Sequence, residues 1–317
     1  MENSRVSSVY ITAAALIMAL WPLLFPDAPL YYQVFGVACL YGTLALAWNL
    51  YALSGAISLG HAAFFGLGAY GSALLNYYGH WSTVATILVG PLASLMFALL
   101  WAFFFRRLRG VYLGLASLAA VEIPKVVIDN WDSLTFGSMG MTGLSKLPTL
   151  SLGGWQVALG SDLKAQYYLL FFLVLLAALF LKQTMESRWG WALRALRENE
   201  TAACAIGIAA NRERTMALLG SAYLTGICGA LYVHLLGLVE PPLVFSLHIS
   251  ALPLIFSIFG GRSRCYGPVL GALVLYPLEQ LVFQPLFPRG HAGIYGVVII
   301  LTILFFPQGI AVWKTTK

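Results

Sequence analysis

The segment YYLLFFLVLLAALFLKQTMESRWGWALRALRENE, residues 167–200, changes character near its middle. Its first fifteen residues carry no charge, whereas the nineteen that follow contain seven charged side chains. A helix of about 20 apolar residues spans the roughly 30 Å hydrocarbon layer of a bilayer. The segment therefore predicts a membrane-spanning helix that continues into a polar element outside the hydrocarbon.

The rest of the chain is as apolar as the start of that segment. Of its 317 residues, 60% are hydrophobic and 9% are charged, and the mean hydropathy is +0.82. Gly and Pro are spread through the apolar runs, which is typical of membrane helices, where neighbouring helices satisfy the backbone groups that such residues free. We therefore predict an all-α polytopic membrane protein, with residues 1–317 forming a single transmembrane domain.

About ten transmembrane helices are predicted from the apolar runs. Two of them, the Gly-rich 58–76 and the short, Pro-containing 244–259, are either ordinary spans or broken, re-entrant segments. Gly/Ser-rich turns at 54–60 and 260–267 suggest a parallel internal repeat. The predicted spans are residues 8–25, 31–53, 58–76, 83–105, 110–128, 165–182, 212–237, 244–259, 267–284 and 292–310.

The distribution of Lys and Arg predicts the orientation. With the N-terminus inside, 14 of the 18 Lys and Arg residues fall in inner segments, while the outer segments hold only Lys146, Lys164 and Arg289. Cytoplasmic loops of membrane proteins carry the excess of positive charge. We therefore expect both termini and the segment 183–211 to be cytoplasmic. The net charge of +6 follows from this topology and does not indicate nucleic-acid binding.

Two long loops stand out in this topology. The outer one, about 129–164, is rich in Gly, Ser, Thr and aromatic residues and is expected to be a folded loop or a helical hairpin. The inner one, about 183–211, fits a short amphipathic helix over 190–207, with Leu193, Leu196, Ala203 and Gly207 on one face. The residues alone leave open whether this helix is a solvated connector or a functional surface.

Several segments, in the same order along the chain, resemble the permease subunits of branched-chain amino-acid ABC importers. The resemblance covers most of residues 40–310, and the chain looks like the second, M-type permease of that family. It departs from the usual pattern at Cys204, where an acidic residue is more common, and in the GGRSRCYG turn at 260–267. The matching segments are SRWGWALRALRENETAACAIGI (187–208), NLYALSGAISLGHAAFFGLGAYGSALL (49–75), LAAVEIPKVVIDNW (118–131), LTFGSMGMTGL (134–144), GGRSRCYGPVLGALV (260–274) and FFPQGI (305–310).

The resemblance implies a transport subunit in the cytoplasmic membrane of a bacterium or archaeon, not an enzyme. Its implied partners are a second, homologous permease, two ATP-binding subunits and an extracytoplasmic solute-binding protein. The chain contains no G-x-x-x-x-G-K-[ST] motif, so ATP and Mg are expected on the ATPase and no cofactor on this chain. The residues implied to contact the ATPase are Arg194, Arg197, Glu198, Asn199, Glu200 and Gly207.

The Gly-rich segment 54–71 is a candidate wall of the substrate pathway. Glycines favour a broken helix whose free backbone groups face a cavity, and transporters place substrate beside such breaks. The alternative is that the glycines allow close helix packing and that His61 is a hydrogen-bond partner between helices. The candidate pathway residues here are Ser58, Gly60, His61, Phe64, Phe65 and Gly66.

Glu122 is the other candidate pathway residue, because it lies well inside a predicted span. A charge at that depth costs roughly 2.5–3.5 kcal/mol on insertion scales, so Glu122 should face protein or water and have a partner, with Lys125 three residues away. Its role, structural or gating, stays open.

Two other functions have weaker support in the sequence. Ser58 and His61 could be imagined as a hydrolytic dyad, but no oxyanion-hole motif accompanies them, and no catalytic residue is assigned. A secondary transporter would need its own coupling carboxylates, for which only Glu122 is a candidate. The four Cys show no metal-binding spacing, so no metal site is predicted. Within the importer family the substrate could be an apolar amino acid, urea, a short amide or an aromatic acid.

Overall fold

The computed structural model describes residues 28–152, 155–262 and 264–286, together with the single residues 18, 293, 296, 297, 300, 304, 309 and 310. Within this part the chain is mainly helical, with two short antiparallel strand pairs. Among the described residues, seven helices, two of them interrupted, are long and apolar enough to cross a membrane. The structure therefore bears out a polytopic, helical membrane protein.

The elements follow one another in this order, with a 3₁₀ turn at Gly137–Met139 and a π-helical turn at Glu279–Phe283: α1 (Pro29–Ala52), α2 (His61–Tyr77), α3 (Thr83–Val89), α4 (Leu92–Phe105), α5 (Gly110–Asp129), α6 (Asp132–Thr135), β1 (Met141–Thr142), β2 (Thr149–Leu152), β3 (Trp155–Ala158), α7 (Leu163–Glu186), α8 (Arg188–Glu198), α9 (Glu200–Ala205), α10 (Ala210–Leu236), β4 (Leu238–Val239), α11 (Pro241–Val244), α12 (Leu247–Gly260), α13 (Gly267–Leu278) and α14 (Gln284–Leu286).

Local sequence accounts for several helix ends. Pro29 opens α1, where its missing N–H costs no hydrogen bond. Ser82 caps α3 by accepting a hydrogen bond from the amide of Ala85, and the Gly90-Pro91 pair separates α3 from α4. The side chain of Asp162 caps α7 in the same way, through the amide of Lys164.

The helices differ in how far they are enclosed. In its most apolar window 89% of α1 is buried, and α10 is the next most buried span, whereas only 28–33% of the corresponding windows of α3–α4, α7 and α13–α14 is buried. The exposed side chains on these outer helices are large and apolar. Such a surface suits contact with lipid, because lipid chains are as apolar as the side chains that meet them. The core therefore lies around α1, α2 and α10.

The predicted inner and outer segments gather at opposite ends of the molecule. At one end, called here the basic end, lie residues 53–60, 106–109, 187–209, 261–262 and 264–266. Arg109 there binds Glu200 at 2.9 Å, and Asn49 donates to the carbonyl of Arg262 at 3.3 Å. At the other end, called the loop end, β1 pairs with β4 and the carbonyl of Ser145 contacts His234 at 2.7 Å.

Eight of the predicted spans fall on described residues, and each contains a helix. The spans 8–25 and 292–310 lie almost wholly outside the described residues, so the count of about ten stays a prediction, as does the internal repeat. The predicted alternative of a broken helix within 58–76 is wrong, because α2 is continuous from His61 to Tyr77. The non-helical backbone of this segment lies before His61. Within 244–259 the span is interrupted at Phe245 and Ser246, between α11 and α12, and α12 is then continuous through Pro253.

The outer loop is folded, but it is not a helical hairpin. The pair β2 and β3 forms a β-hairpin, and β1 joins the neighbouring β4. Gly140, at φ +72°, lies beside the backbone of Val239 and Glu240 and leaves no room for a side chain. The close approach of the loop to β4 requires glycine at that position.

The exposed thiol of Cys204 tests the orientation of the basic end, since Cys39 and Cys228 are buried. If this end faces the cytoplasm, a membrane-impermeant maleimide should leave Cys204 unmodified in intact cells and modify it in inside-out vesicles. Met139→Cys, at an exposed position of the loop end, should show the opposite pattern. The mass of the purified subunit reports labelling, and Cys204→Ser supplies the background. Modification of Cys204 in intact cells would contradict the orientation.

Candidate coupling surface and cleft

The predicted amphipathic helix begins as α8, on the surface of the basic end. Ser187 caps it by accepting a hydrogen bond from the amide of Gly190 at 3.2 Å. Leu193 and Leu196 are buried beneath it, while Trp191 is exposed. The spacing of three residues between the two leucines places them on one helical face, as the sequence predicts. The helix is thus fixed to the membrane part by an apolar stripe.

The helix does not continue to residue 207. Asn199 is extended, and its Oδ1 accepts a hydrogen bond from the amide of Ala202 at 3.0 Å, so this side chain caps a second short helix, α9. An N-cap residue requires a non-helical backbone, which explains the break. Gly207 follows α9 in a left-handed conformation, at φ +92°, and is exposed. Gly207 therefore does not lie on a helical face with Leu193 and Leu196, and that prediction is wrong, whereas Ala203 is buried with Leu196.

Arg194 is held by its own chain. Its Nη2 donates to the carbonyl of Met185 at 2.6 Å, and its guanidinium lies 4.2 Å from the centre of the Trp191 ring. The bond to Met185 satisfies a carbonyl in the last turn of α7, where helical partners are missing. Arg194 therefore ties α8 to the end of a spanning helix and offers less to a partner than the sequence suggests.

Arg197 and Glu198 form an ion pair at 2.8 Å, and the Glu198 side chain is 73% exposed. The main chain of α8 at Arg197 lies close to Gly55, where an added Cβ would come within 3.1 Å of the Arg197 Cα. Gly55 also has φ +82°, which other residues rarely adopt. The Gly-rich turn after α1 and the surface helix α8 are therefore in contact.

Glu200 is the centre of an ion cluster that joins three elements. Arg109 donates to both of its carboxylate oxygens, at 2.9 and 3.0 Å, and Arg214 of α10 lies 2.8 Å from one of them. The Arg109 hydrogen bond is the main cause of a lowered pKa for the Glu200 carboxyl, with Arg214 adding to the effect. Because the pKa is lowered, the cluster stays charged at neutral pH and is lost only as the pH falls through the shifted pKa.

The six pathway residues predicted near the start of α2 lie in the packed interior. His61 is fully buried and its Nε2 lies 2.9 Å from the Oγ of Ser221 on α10. The hydroxyl of Ser58 accepts a hydrogen bond from the amide of Gly60 at 3.2 Å. These geometries fit helix packing. The pathway role of the set stays a prediction, and neither of the two cavities described below is lined by Ser58, Gly60, His61, Phe64, Phe65 or Gly66.

The glycines of this segment lie where helices touch. A Cβ at Gly60 would overlap the carbonyl of Ser117, and one at Gly66 would overlap the ring of Phe245. At Gly68 it would overlap the backbone of Gly226 on α10. Small residues of this kind allow membrane helices to approach backbone to backbone. They hold α2 against α5, α10 and the segment after α11.

Glu122 lines a cleft of about 360 Å³ between α5 and the segment that contains α11 and α12. Its carboxylate pairs with Lys125 at 3.3 Å, so the predicted partner is present, although the Glu122 side chain is 59% exposed. The other walls are mainly apolar, with Phe245, Leu247 and the hydroxyl-bearing Ser250 opposite the α5 side chains. A carboxylate and a hydroxyl in an apolar cleft can bind a small molecule that carries an ammonium group.

Sequence reasoning did not identify two polar centres. In the sequence Arg109 and Arg214 are two of the many charges of the inner segments, and His234 belongs to no motif. His234 is buried at the loop end, where its Nε2 contacts Ser72 at 2.8 Å and Thr86 at 3.0 Å while its Nδ1 contacts the carbonyl of Ser145. A histidine in an apolar span was the available signal, since such residues usually pair within the bundle. In the part of the chain that the structure describes, no group of three His, Cys, Asp or Glu residues could hold a metal.

Comparison with known proteins agrees with this arrangement. Residues 30–304 match the family described as branched-chain amino acid transport system / permease component. One relative is the high-affinity branched-chain amino acid transport system permease protein LivM of Escherichia coli strain K12. The two sequences are 28% identical over 334 residues, and the alignment covers 98% of this chain and 76% of the relative. The protein of the same name in Salmonella typhimurium matches to the same extent. No solved structure matches. The chain belongs to this permease family.

Gly68→Ala tests the packing role of the glycine segment. The added methyl group would meet the Gly226 backbone, which cannot move aside as a side chain can, so we expect a loss of about 1–3 kcal/mol of stability and a lower yield of subunit. Gly114→Ala in α5 is the matched control, because its Cβ would have only the Ile57 carbonyl nearby, at 3.8 Å. Thermal unfolding and yield in detergent measure both. Equal behaviour of the two variants would contradict close packing at Gly68.

Proposed function

We propose that this member of the permease family is the transmembrane subunit of an ATP-binding-cassette importer. It moves branched-chain or other apolar amino acids inward by alternating access, and a separate ATPase drives the movement. The observation that carries the proposal is α8, an amphipathic surface helix packed through Leu193 and Leu196 onto the spanning helices, with the charged Glu198 turned outward. The names of the two relatives support the substrate class.

The connections of α8 suit a coupling element. Through Arg194 it is bonded to the end of α7, and through Gly55 it rests on the turn between α1 and α2. Through the adjoining Glu200 it is tied to the α4–α5 turn and to α10. A displacement of α8 by an ATPase would therefore act on several spanning helices at once, as rigid-body switching requires.

The proposed assembly contains this permease, a second homologous permease, two ATP-binding subunits and a solute-binding protein. The ATPase meets the basic end through Arg197, Glu198 and Asn199, while the binding protein meets the loop end. ATP and Mg belong to the ATPase, since the chain contains no phosphate-binding loop of the G-x-x-x-x-G-K-[ST] type. A homodimer of this permease is the alternative to the heterodimer.

The cleft at Glu122 favours an apolar amino acid over the other substrates. The Glu122 carboxylate in the cleft wall attracts the ammonium group of an amino acid, and the apolar walls suit an apolar side chain. An aromatic acid brings only a negative charge and would be repelled by Glu122. Urea and short amides would leave the apolar walls of the cleft without a matching surface. The cleft is proposed as part of the substrate pathway.

The two rival functions gain no support from the geometry. His61 pairs with Ser221 and not with Ser58, and all three side chains are fully buried, so a hydrolytic dyad would lack access to substrate. A secondary transporter would retain uptake in proteoliposomes with a membrane potential but without ATP. Uptake that stops when ATP is withdrawn would support the importer and oppose that rival.

Charge reversal on α8 tests the ATPase contact. In Glu198→Arg, a like-charge contact at the docking surface can cost several kcal/mol, so co-purification of the ATPase should fall strongly while thermal stability of the permease is kept. The double variant Arg197→Glu/Glu198→Arg is the control, because it restores the internal ion pair with the charges exchanged. Docking should stay weak in the double variant. If the double variant recovers full ATPase binding, the single change acted through the internal pair and α8 is only a connector.

Glu122→Gln tests the cleft. Removal of the charge deletes a charge-assisted hydrogen bond to the substrate ammonium, which is typically worth enough to lower leucine uptake about tenfold. Reconstituted complex with ATP gives the measurement, and ATPase association should be unchanged. In Lys125→Met the ion pair is also broken but the carboxylate remains, so an ammonium group can still bind. Equal loss in both variants, or no loss in Glu122→Gln, would contradict the proposed role.

A further inference from the structure

A second cavity, of about 50 Å³, opens at the basic end, away from the Glu122 cleft. It lies where the end of α1, the end of α4, the start of α5 and the start of α10 meet. Its polar walls come from Tyr51, Trp101, Arg106, Asn211, Arg214 and Thr215. The assembly proposed above assigns no role to this cavity.

The wall of the cavity is rich in hydrogen-bond donors, one of which is buried without a partner. The indole N–H of Trp101 is buried and makes no hydrogen bond with any residue that the structure describes. Arg106 and Asn211 also line the cavity, and both residues are exposed, so their N–H donors can meet solvent or a ligand. A buried donor without a partner costs free energy, because it has lost its water. The cavity is therefore built for a ligand rich in acceptor atoms.

The charge of the cavity points to an anion. Arg106, Arg109 and Arg214 line it, and Glu200 is the carboxylate bound to two of them. Arg109 is fully engaged, since it donates to Glu200 and to the carbonyls of Arg106 and Leu108. Arg106 stays available and lies over the ring of Phe103, 5.3 Å from its centre. An excess of positive charge thus remains at the mouth.

The surface beside the cavity is strongly apolar. Phe103 and Phe104 at the end of α4 are 62% and 69% exposed, and Val111 and Tyr112 at the start of α5 are each 76% exposed. These side chains flank Arg106 and Gly110 of the cavity wall. A basic cavity at one end of the bundle, bordered by apolar side chains, matches the two parts of a phospholipid, whose anionic phosphate is joined to acyl chains. A carboxylate from a partner protein would explain the charge but not this apolar border.

We propose that this cavity binds the phosphodiester headgroup of an anionic phospholipid. The phosphate oxygens accept hydrogen bonds from Arg106, Asn211 and the indole N–H of Trp101, and the acyl chains lie along Phe103 and Tyr112. Such a lipid links α4 to α10 beside the Glu200 cluster. It is therefore a structural ligand of the basic end, and the proposal does not depend on which substrate is carried.

Native mass spectrometry of the delipidated, complete complex, titrated with phosphatidylglycerol and with phosphatidylcholine, tests the site. A single basic residue adds to the free energy of binding an anionic lipid. Its loss in Arg106→Gln should therefore weaken phosphatidylglycerol binding about fivefold. Trp101→Phe keeps an aromatic ring, smaller than the indole, but removes the N–H and should weaken binding as well. Arg107→Gln is the matched control, because Arg107 is exposed and adjacent but does not line the cavity.

The outcomes separate the sources of the anion. Tighter binding of phosphatidylglycerol than of phosphatidylcholine, lost in Arg106→Gln and Trp101→Phe but kept in Arg107→Gln, supports the proposal. Displacement of the bound phosphatidylglycerol by millimolar inorganic phosphate would show a site for free phosphate and overturn the lipid assignment. Equal lipid binding in Arg106→Gln and Arg107→Gln, with ATPase association lost only in Arg106→Gln, would assign the cavity to a partner carboxylate and also overturn it.

Discussion

The close approach of α2 and α10 is the constraint on which the rest of the structure depends. Gly68 lies against Gly226, and Gly229 lies against the carbonyl of Phe65, so the two backbones touch where side chains would separate them. Within a bilayer the hydrophobic effect does not drive helices together, and close packing with interhelical hydrogen bonds replaces it. The pairs His61–Ser221 and Ser72–His234 supply those bonds on either side of the glycine contacts.

Because α10 is held in this way along its length, it connects the two ends of the molecule. Near its start Arg214 joins the Glu200 cluster, and near its end His234 holds the carbonyl of Ser145. The strand β4 follows at once and pairs with β1 of the outer loop. A movement at either end thus has a rigid path to the other. The contacts along α10 connect the two ends in this conformation. They couple the two ends only if a second conformation of the protein makes different contacts there.

Residues 54–71, the predicted pathway segment, make two different kinds of contact in the structure. The turn before α2, with Gly55, contacts the surface helix α8, while the glycines within α2 pack helices together. The cavity with a carboxylate lies elsewhere, between α5 and the segment with α11 and α12. In the proposed importer, rigid packing at α2 would transmit movement, and the less enclosed face of α5 would meet substrate or the second permease.

The sequence by itself determined the membrane class, the position of most helices, the basic end and the buried face of α8. These depend on the transfer of side chains between water, lipid and protein, and on the helical repeat, which are both local properties. The break at Asn199 also had a local cause, the capping side chain, but the apolar pattern on both sides of it concealed the break. Only the tertiary structure decided which polar groups meet. Arg109 and Glu200 are 91 residues apart, and His61 and Ser221 are 160 apart, so their pairing depends on how the helices pack and not on spacing along the chain.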